Sequence, residues 1–401
     1  MKYLFLGGLY PKQLEQRLFA ESRGKLSFAA NLHQWNMIHG IESNIGEAVS
    51  IVNCYFFPVF PKSKRILIKS YGWSHREDAS DYNVGYLNLK TIRNFSQAKR
   101  LEKYLRKVLD SEREDVTVFV YTARYSAMRA VYALKRKGYR IKVCLIVPDV
   151  PAILAQYEKR GLYDRLAGRY NLEKIKRFNS AVDCYVLLSE PMKELFEIGS
   201  RPYCIVDGIY SDEGIADERD EPIIRHSIVY TGSLHKEYGI LDLLSEFEKT
   251  TDSSYKLIIA GSGNAAQNVA DAALRDSRIV YLGPLPQREV FKLQRKADLL
   301  INPRPISGID SRYSFPSKTI EYMLSGRSVL MNRLPGMAPE YEAFVYTPKN
   351  CQCNGFSQAI DFIFSLPEEN RLEKAQNARN FVMRNKNAAV QAEKIIRMLN
   401  D

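Results

Sequence analysis

The densest run of chemistry-bearing residues in this 401-residue chain lies between Asn302 and Gly326. Asn302-Pro-Arg-Pro305 precedes Tyr313-Ser-Phe-Pro-Ser-Lys-Thr-Ile-Glu321, and Pro316 with Ser317 suits the start of a helix. Free N–H groups and the positive end of the dipole at such a start attract an anion. Lys318 in that first turn opposes the dipole, a placement that makes sense when an anion sits between the two. One turn on, the Glu321 carboxylate can accept two hydrogen bonds from a vicinal diol such as a ribose. The alternative is a surface helix whose Lys and Glu are solvated. Three more segments leave apolar runs for small-residue loops: Val229-Tyr-Thr-Gly-Ser233, Ile259-Ala-Gly-Ser-Gly263 and Val280-Tyr-Leu-Gly-Pro284. Glycine admits close backbone approach to a ligand. Each loop alone is ordinary turn chemistry, but three in register on one sheet edge favour a nucleotide.

These residues need a frame. In the C-terminal half, apolar runs at 227–230, 255–260, 279–282, 299–301 and 328–331 predict strands, with helical spacing at 240–249, 288–295 and 318–325. The N-terminal half shows strand runs at 3–6, 48–56, 65–70, 116–121, 142–147 and 184–188, and helical stripes at 96–109 and 127–137. Alternating strands and helices predict parallel βαβ units and open, doubly wound sheets. The acidic, glycine-containing stretch 211–222 has linker composition. The expected organisation is α/β: an acceptor-binding Rossmann-like domain over 1–210, a nucleotide-binding one over 222–385, and a C-terminal helix at 386–401 packing back on the first. Two such sheets would face a cleft lined by their strand C-terminal edges.

Bulk composition narrows the class. A hydrophobic fraction of 45% and a charged fraction of 26% are those of a globular protein. No apolar run of about 18 residues occurs, and the apolar stretch before Gly7-Gly8 is too short for a signal peptide, so a cytoplasmic protein is expected. Six scattered cysteines without paired zinc spacing suit reduced thiols, and no metal ligand set emerges. Of the net charge of +12, residues 1–215 carry nearly all. The N-terminal half is therefore the half that meets an acidic partner.

The segments Tyr230-Thr-Gly-Ser233, Ala260-Gly-Ser-Gly263, Leu282-Gly283 and Ser314-Phe-Pro-Ser-Lys-Thr-Ile-Glu-Tyr-Met-Leu-Ser-Gly326 resemble the nucleotide-sugar domain of bacterial GT-B glycosyltransferases of family 4 (group 1), of the cell-surface polysaccharide type. The likeness is best over residues 225–335. It implies a retaining, metal-independent, cofactor-free hexosyltransferase that uses a nucleotide-sugar, with UDP the expected carrier. It further implies that Glu321 holds the ribose hydroxyls and that Gly7 and Gly8 approach the diphosphate from the other domain. Leu285 and Pro286 would read the base. The donor set then comprises Gly232, Ser233, Gly261, Ser262, Gly263, Tyr313, Ser314, Phe315, Pro316, Ser317, Lys318 and Glu321. Tyr313 replaces the motif's first glutamate, while Ser233 and Tyr238 stand where the family carries Arg and Lys. Lys236, His235, Arg304 and Lys318 are left as candidate diphosphate cations, with Lys318, Arg304 and Glu321 as the catalytic candidates.

Acceptor recognition falls to the basic N-terminal half. His33 and His39, in a polar-aromatic stretch, suit either a sugar contact or a structural place; Thr122 and Arg124 follow a strand end. The segment 153–178 mixes seven Lys/Arg with Leu and Tyr, which suits an anionic membrane surface or an ordinary packed helix. A saccharide acceptor linked to polyprenyl diphosphate would fit a protein peripheral to the inner membrane face, working in capsule or exopolysaccharide synthesis. No nucleic-acid motif is present. Two other readings stay open: a nucleotide-sugar epimerase on the same fold, and a non-catalytic partner in a glycan assembly complex.

Overall fold

The computed structural model describes residues 2–23, 26, 28–148, 173, 176–210, 222–307, 309–313 and 317–401. The chain divides into two compact units, Met1–Ile209 with Ala388–Asp401, and Tyr210–Asn387.

The first unit is built on an eight-stranded sheet in the order β10-β9-β8-β7-β1-β2-β5-β4. Its strands are β1 (Lys2–Gly7), β2 (Ser50–Asn53), β4 (Tyr71–Trp73), β5 (Asp81–Asn83), β7 (Val116–Tyr121), β8 (Ile141–Val147), β9 (Cys184–Leu187) and β10 (Tyr203–Ile205). All pair in parallel except the edge strand β4. The strands β1, β7 and β8 are nearly continuous apolar runs, broken by Lys2, Thr117 and Lys142, because helices bury both of their faces. Phe5, Ile51, Phe119 and Ile146 meet Ile38 and Ile41 of the helix Phe28–Ile45, and Ile395 of the helix Ala388–Asn400, in one core. At Gly40 those two helices approach so closely that a Cβ would lie 2.2 Å from the Ala388 carbonyl oxygen.

One expected strand is corrected. The run 65–70 does not enter the main sheet. Only β3 (Leu67–Ile68) forms, pairing antiparallel with β6 (Tyr86–Leu87) as a separate ribbon. Ile68 and Tyr86 are buried while Leu67 and Leu87 face solvent, so the ribbon has only one face to pack. The place beside β2 goes to β5 instead, where the Asn53 carboxamide donates to Asn83 Oδ1 at 3.3 Å. Of the basic segment 153–178 expected at a membrane surface, residues 153–172, 174 and 175 lie outside the described residues, as do 211–221 of the linker 211–222. Among the described residues, no helix is long and apolar enough to cross a membrane.

The second unit has a five-stranded, wholly parallel sheet in the order β13-β12-β11-β14-β15. These are β11 (Ser227–Thr231), β12 (Lys256–Ala260), β13 (Ile279–Tyr281), β14 (Leu299–Asn302) and β15 (Ser328–Met331). Neighbours along each strand serve opposite cores. Ile228, Leu257 and Leu299 pack with helices Ile240–Glu248 and Phe356–Ser365, whereas Val229, Ile258 and Leu300 pack with helix Ser317–Leu324. Layers of helix on both faces of a parallel sheet leave its C-terminal edge for the loops.

Candidate functional site

The loops after β11, β12 and β13 are fastened to one another as an extension of the sheet. Gly232 N–H donates to Ala260 O (2.9 Å), Gly261 N–H to Gly283 O (2.8 Å) and Leu234 N–H to Ser262 O (2.9 Å). Glycine is required at 261, where φ is +152° and a Cβ would fall 1.8 Å from the Gly232 carbonyl oxygen. At Gly263 a Cβ would meet Leu234 O at 2.2 Å. The glycines thus let three loops stack against each other as a rigid ledge. Ser233 and Lys236 are exposed on it, and Lys236 begins a short 3-10 turn whose N–H is held by Asn264.

Glu321 lies on helix Ser317–Leu324 and does not point into bulk water. Its side chain is 22% exposed, and Oε1 accepts a hydrogen bond from Lys318 Nζ at 2.8 Å. The same oxygen accepts from Gln294 Nε2, which also donates to Thr231 Oγ1 at 2.8 Å. Tyr322 completes the link: its hydroxyl accepts from Thr231 N–H (2.9 Å) and donates to Thr231 O (3.0 Å). Burial pushes the Tyr322 phenol pKa far up, so it works here as a neutral donor and acceptor. The carboxylate is therefore tied, through one buried carboxamide, to the residue preceding Gly232. Lys318, one turn before Glu321, is bonded to it.

Gln294 is absent from the candidates of the sequence reading; the one signal there is a carboxamide at an inward position of helix Gln287–Lys296, where Gln294 is buried.

The remaining donor candidates are spread over this unit. Leu285 is half-buried and Pro286 exposed at the start of helix Gln287–Lys296. Arg304 stacks its guanidinium over the Tyr238 ring at 5.1 Å, and its backbone carbonyl accepts from Asn332. Tyr313 ends the short helix Ile309–Tyr313, beneath the Arg312 guanidinium. Ser314, Phe315 and Pro316 lie outside the described residues, and Ser317 is exposed at the helix start.

In the first unit, Gly7 and Gly8 are buried at the end of β1. A Cβ at Gly8 would overlap the Phe56 ring at 1.7 Å, and Gly8 N–H donates to Gln34 Oε1 at 2.8 Å. Packing within the unit itself therefore demands glycine there. His33 Nδ1 lies 3.2 Å from the Tyr121 hydroxyl, and burial lowers its pKa to about 4, so the imidazole is neutral at pH 7. His39 is exposed on the same helix, against Trp35. Thr122, just past β7, has φ +62°, a strained value for a β-branched residue. Arg124 stacks over Phe56 at 4.3 Å.

Two parallel α/β units define the class: the fold is that of the GT-B glycosyltransferases. The chain matches an alpha,alpha-trehalose-phosphate synthase (UDP-forming) from Burkholderia xenovorans with a TM-score of 0.66 at 13% identity, over 100% of both chains. It matches a sucrose-phosphate synthase from Thermosynechococcus elongatus with a TM-score of 0.65 at 11% identity, over 100% of this chain and 98% of the other. Residues 225–365 match the family model for glycosyl transferases group 1. The matched segment holds the glycine ledge, Gln294, Lys318 and Glu321. No curated protein sequence matches the chain.

Proposed function

We propose that this glycosyltransferase is a retaining, metal-independent hexosyltransferase that moves a sugar from a UDP-sugar to a saccharide or lipid-linked saccharide in surface polysaccharide synthesis. The observation that carries the donor assignment is the half-buried Glu321 carboxylate, fixed by Lys318 and Gln294 to the strand end from which the glycine ledge begins. A carboxylate so placed suits the ribose diol, and the amides of the ledge suit a diphosphate. Lys318, Arg304 and Lys236 supply positive charge for the leaving diphosphate, a task that needs no metal where fixed cations and N–H groups supply the stabilisation. Leu285 and Pro286 suit a flat base. The relative described as UDP-forming supports the choice of UDP.

The first unit would take the acceptor. Its exposed Leu67, Leu87 and Phe95, with exposed Lys62, Lys64 and Lys69 nearby in sequence, suit a peripheral site on an anionic membrane, where a lipid-linked acceptor would be found. A thermal-shift screen against UDP, GDP and their sugars tests the donor. The expected result is a shift with UDP compounds in the presence of EDTA. No response to any nucleotide refutes the assignment. The anomeric configuration of the transferred sugar, followed by NMR, tests retention.

A further inference from the structure

Two arginines in the first unit are placed where cations are electrostatically unfavourable. Arg93 is the first residue of helix Arg93–Ser111, and Arg124 is the residue that leads into helix Tyr125–Arg136. The positive ends of two helix dipoles thus each carry a further positive charge. The side chains converge on one short loop that leaves β2: Arg93 Nη1 donates to Phe57 O at 3.0 Å, and Arg124 Nη1 to Cys54 O at 3.4 Å. Both side chains are partly buried. Among the described residues no carboxylate pairs with either guanidinium; the polar partners are backbone carbonyls. Burial, and then the like charge of Arg124, pull the Arg93 pKa down.

Their position is as telling as their charge. The loop continues from the C-terminal end of β2, and Arg124 follows the C-terminal end of β7, so both stand at the edge where open α/β sheets bind ligands. The turn that presents Arg124 is strained: Thr122 sits at φ +62°, and Arg124 N–H is bonded back to Thr122 O at 2.7 Å. Strain of this kind persists where the surroundings impose it, and it gathers at ligand sites. Partly buried like charges without a counter-ion are costly unless an anion completes the set. Each guanidinium has donors beyond the one used on a carbonyl, in the fork geometry that matches phosphate oxygens.

We propose that Arg93 and Arg124 form an anion subsite for a phosphate group of the acceptor, carried as a sugar phosphate monoester or as a lipid-linked diphosphate. This deepens the reading in which the first unit takes the acceptor, and it does not depend on the identity of the donor nucleotide.

The test uses the full chain in phosphate-free buffer, titrated calorimetrically with glucose 6-phosphate, glucose, farnesyl diphosphate and UDP. Glucose 6-phosphate or farnesyl diphosphate should bind, and glucose should not; which of the two binds more tightly tells the sugar phosphate from the lipid-linked source. Arg93→Gln and Arg124→Gln should each weaken that binding by about 10- to 100-fold, the range of a lost charge-assisted hydrogen bond. UDP binding in both variants should stay within twofold of the parent. Removing one of two repelling charges should leave the ligand-free melting temperature unchanged or higher. A merely structural pair would instead lower the melting temperature and leave the phosphate response intact. That result, or a parent protein that ignores both phosphate compounds while binding UDP, overturns the proposal. A protein that binds the phosphate compounds but not UDP would overturn the donor assignment and leave this one standing.

Discussion

Replacing Glu321 by alanine probes the donor site at its most connected point. The carboxylate accepts from Lys318 Nζ at 2.8 Å and from Gln294 Nε2, with the side chain 22% exposed and that of Lys318 33% exposed. Loss of a hydrogen bond donated by a ribose hydroxyl to a charged acceptor costs about 1.5–3 kcal/mol, or roughly a 10- to 150-fold rise in the UDP dissociation constant. The variant also strands one N–H of the buried Gln294 carboxamide, a cost of about 1–3 kcal/mol in stability. Lys318, released from its partner, offsets part of the binding loss by turning to the diphosphate, so the lower half of the range is expected. Glu321→Gln keeps an oxygen for Gln294 and should lose less stability while still weakening UDP. Isothermal titration with UDP, alongside thermal melts of the ligand-free variants, separates the two effects. An Ala variant that melts lower yet binds UDP as the parent does would show that Glu321 is a structural brace, and the ribose role would be wrong.

Three other outcomes are expected. His75 bridges Asp81 Oδ2 (2.7 Å) and Glu42 Oε1 (2.8 Å) with its side chain 6% exposed. Burial disfavours its charge, but the hydrogen bonds its ring N–H groups donate to Asp81 and Glu42 outweigh that and raise its pKa to about 9. A raised folded-state pKa gives stability that is fully present below about pH 6.5 and lost as pH climbs through 9. Chemical denaturation between pH 6 and 10 should show this decline in the parent and not in His75→Gln; equal slopes would rule the bridge out. Gly261→Ala forces a Cβ to within 1.8 Å of the Gly232 carbonyl oxygen at φ +152°, and should destabilise by about 2–4 kcal/mol in melts of the ligand-free protein; a change under about 0.5 kcal/mol would mean the ledge is loose. The parent chain should co-float with phosphatidylglycerol vesicles and not with phosphatidylcholine alone. Leu67→Glu with Lys64→Glu should abolish that association, while Leu274→Glu, at an 88% exposed position of the other unit, should not. Undiminished flotation of the double variant would remove the ribbon from the membrane reading.

Much of the frame was legible along the chain. The strands β1, β7, β8, β11, β14 and β15 are largely apolar runs because they are buried on both faces, and such burial leaves its mark on successive residues; β12 and the edge strand β13 are apolar too, although Lys256 and Val280 are exposed. The Lys318–Glu321 pair sits one helical turn apart, a spacing any helix reading contains. The region from Leu67 to Leu87 was not legible, since strands of two or three residues have no period to detect. Within helix Phe28–Ile45 the sequence shows only a polar-aromatic stretch over 31–40. It is packed by the sheet on one side and by helix Ala388–Asn400 on the other, so its apolar residues form no single stripe.

Sequence by itself determined the class: two alternating α/β series, glycine after three strands, and a Lys and a Glu one turn apart at a helix start. Tertiary structure alone decided the partners. Gln294 reaches Glu321 across 27 positions, the Phe56 ring occupies the space a Cβ at Gly8 would need, and Arg93 and Arg124 meet on one loop. Local propensity is written in neighbouring residues, whereas which side chains share a hydrogen bond or a charge depends on how sheets and helices bring distant segments together.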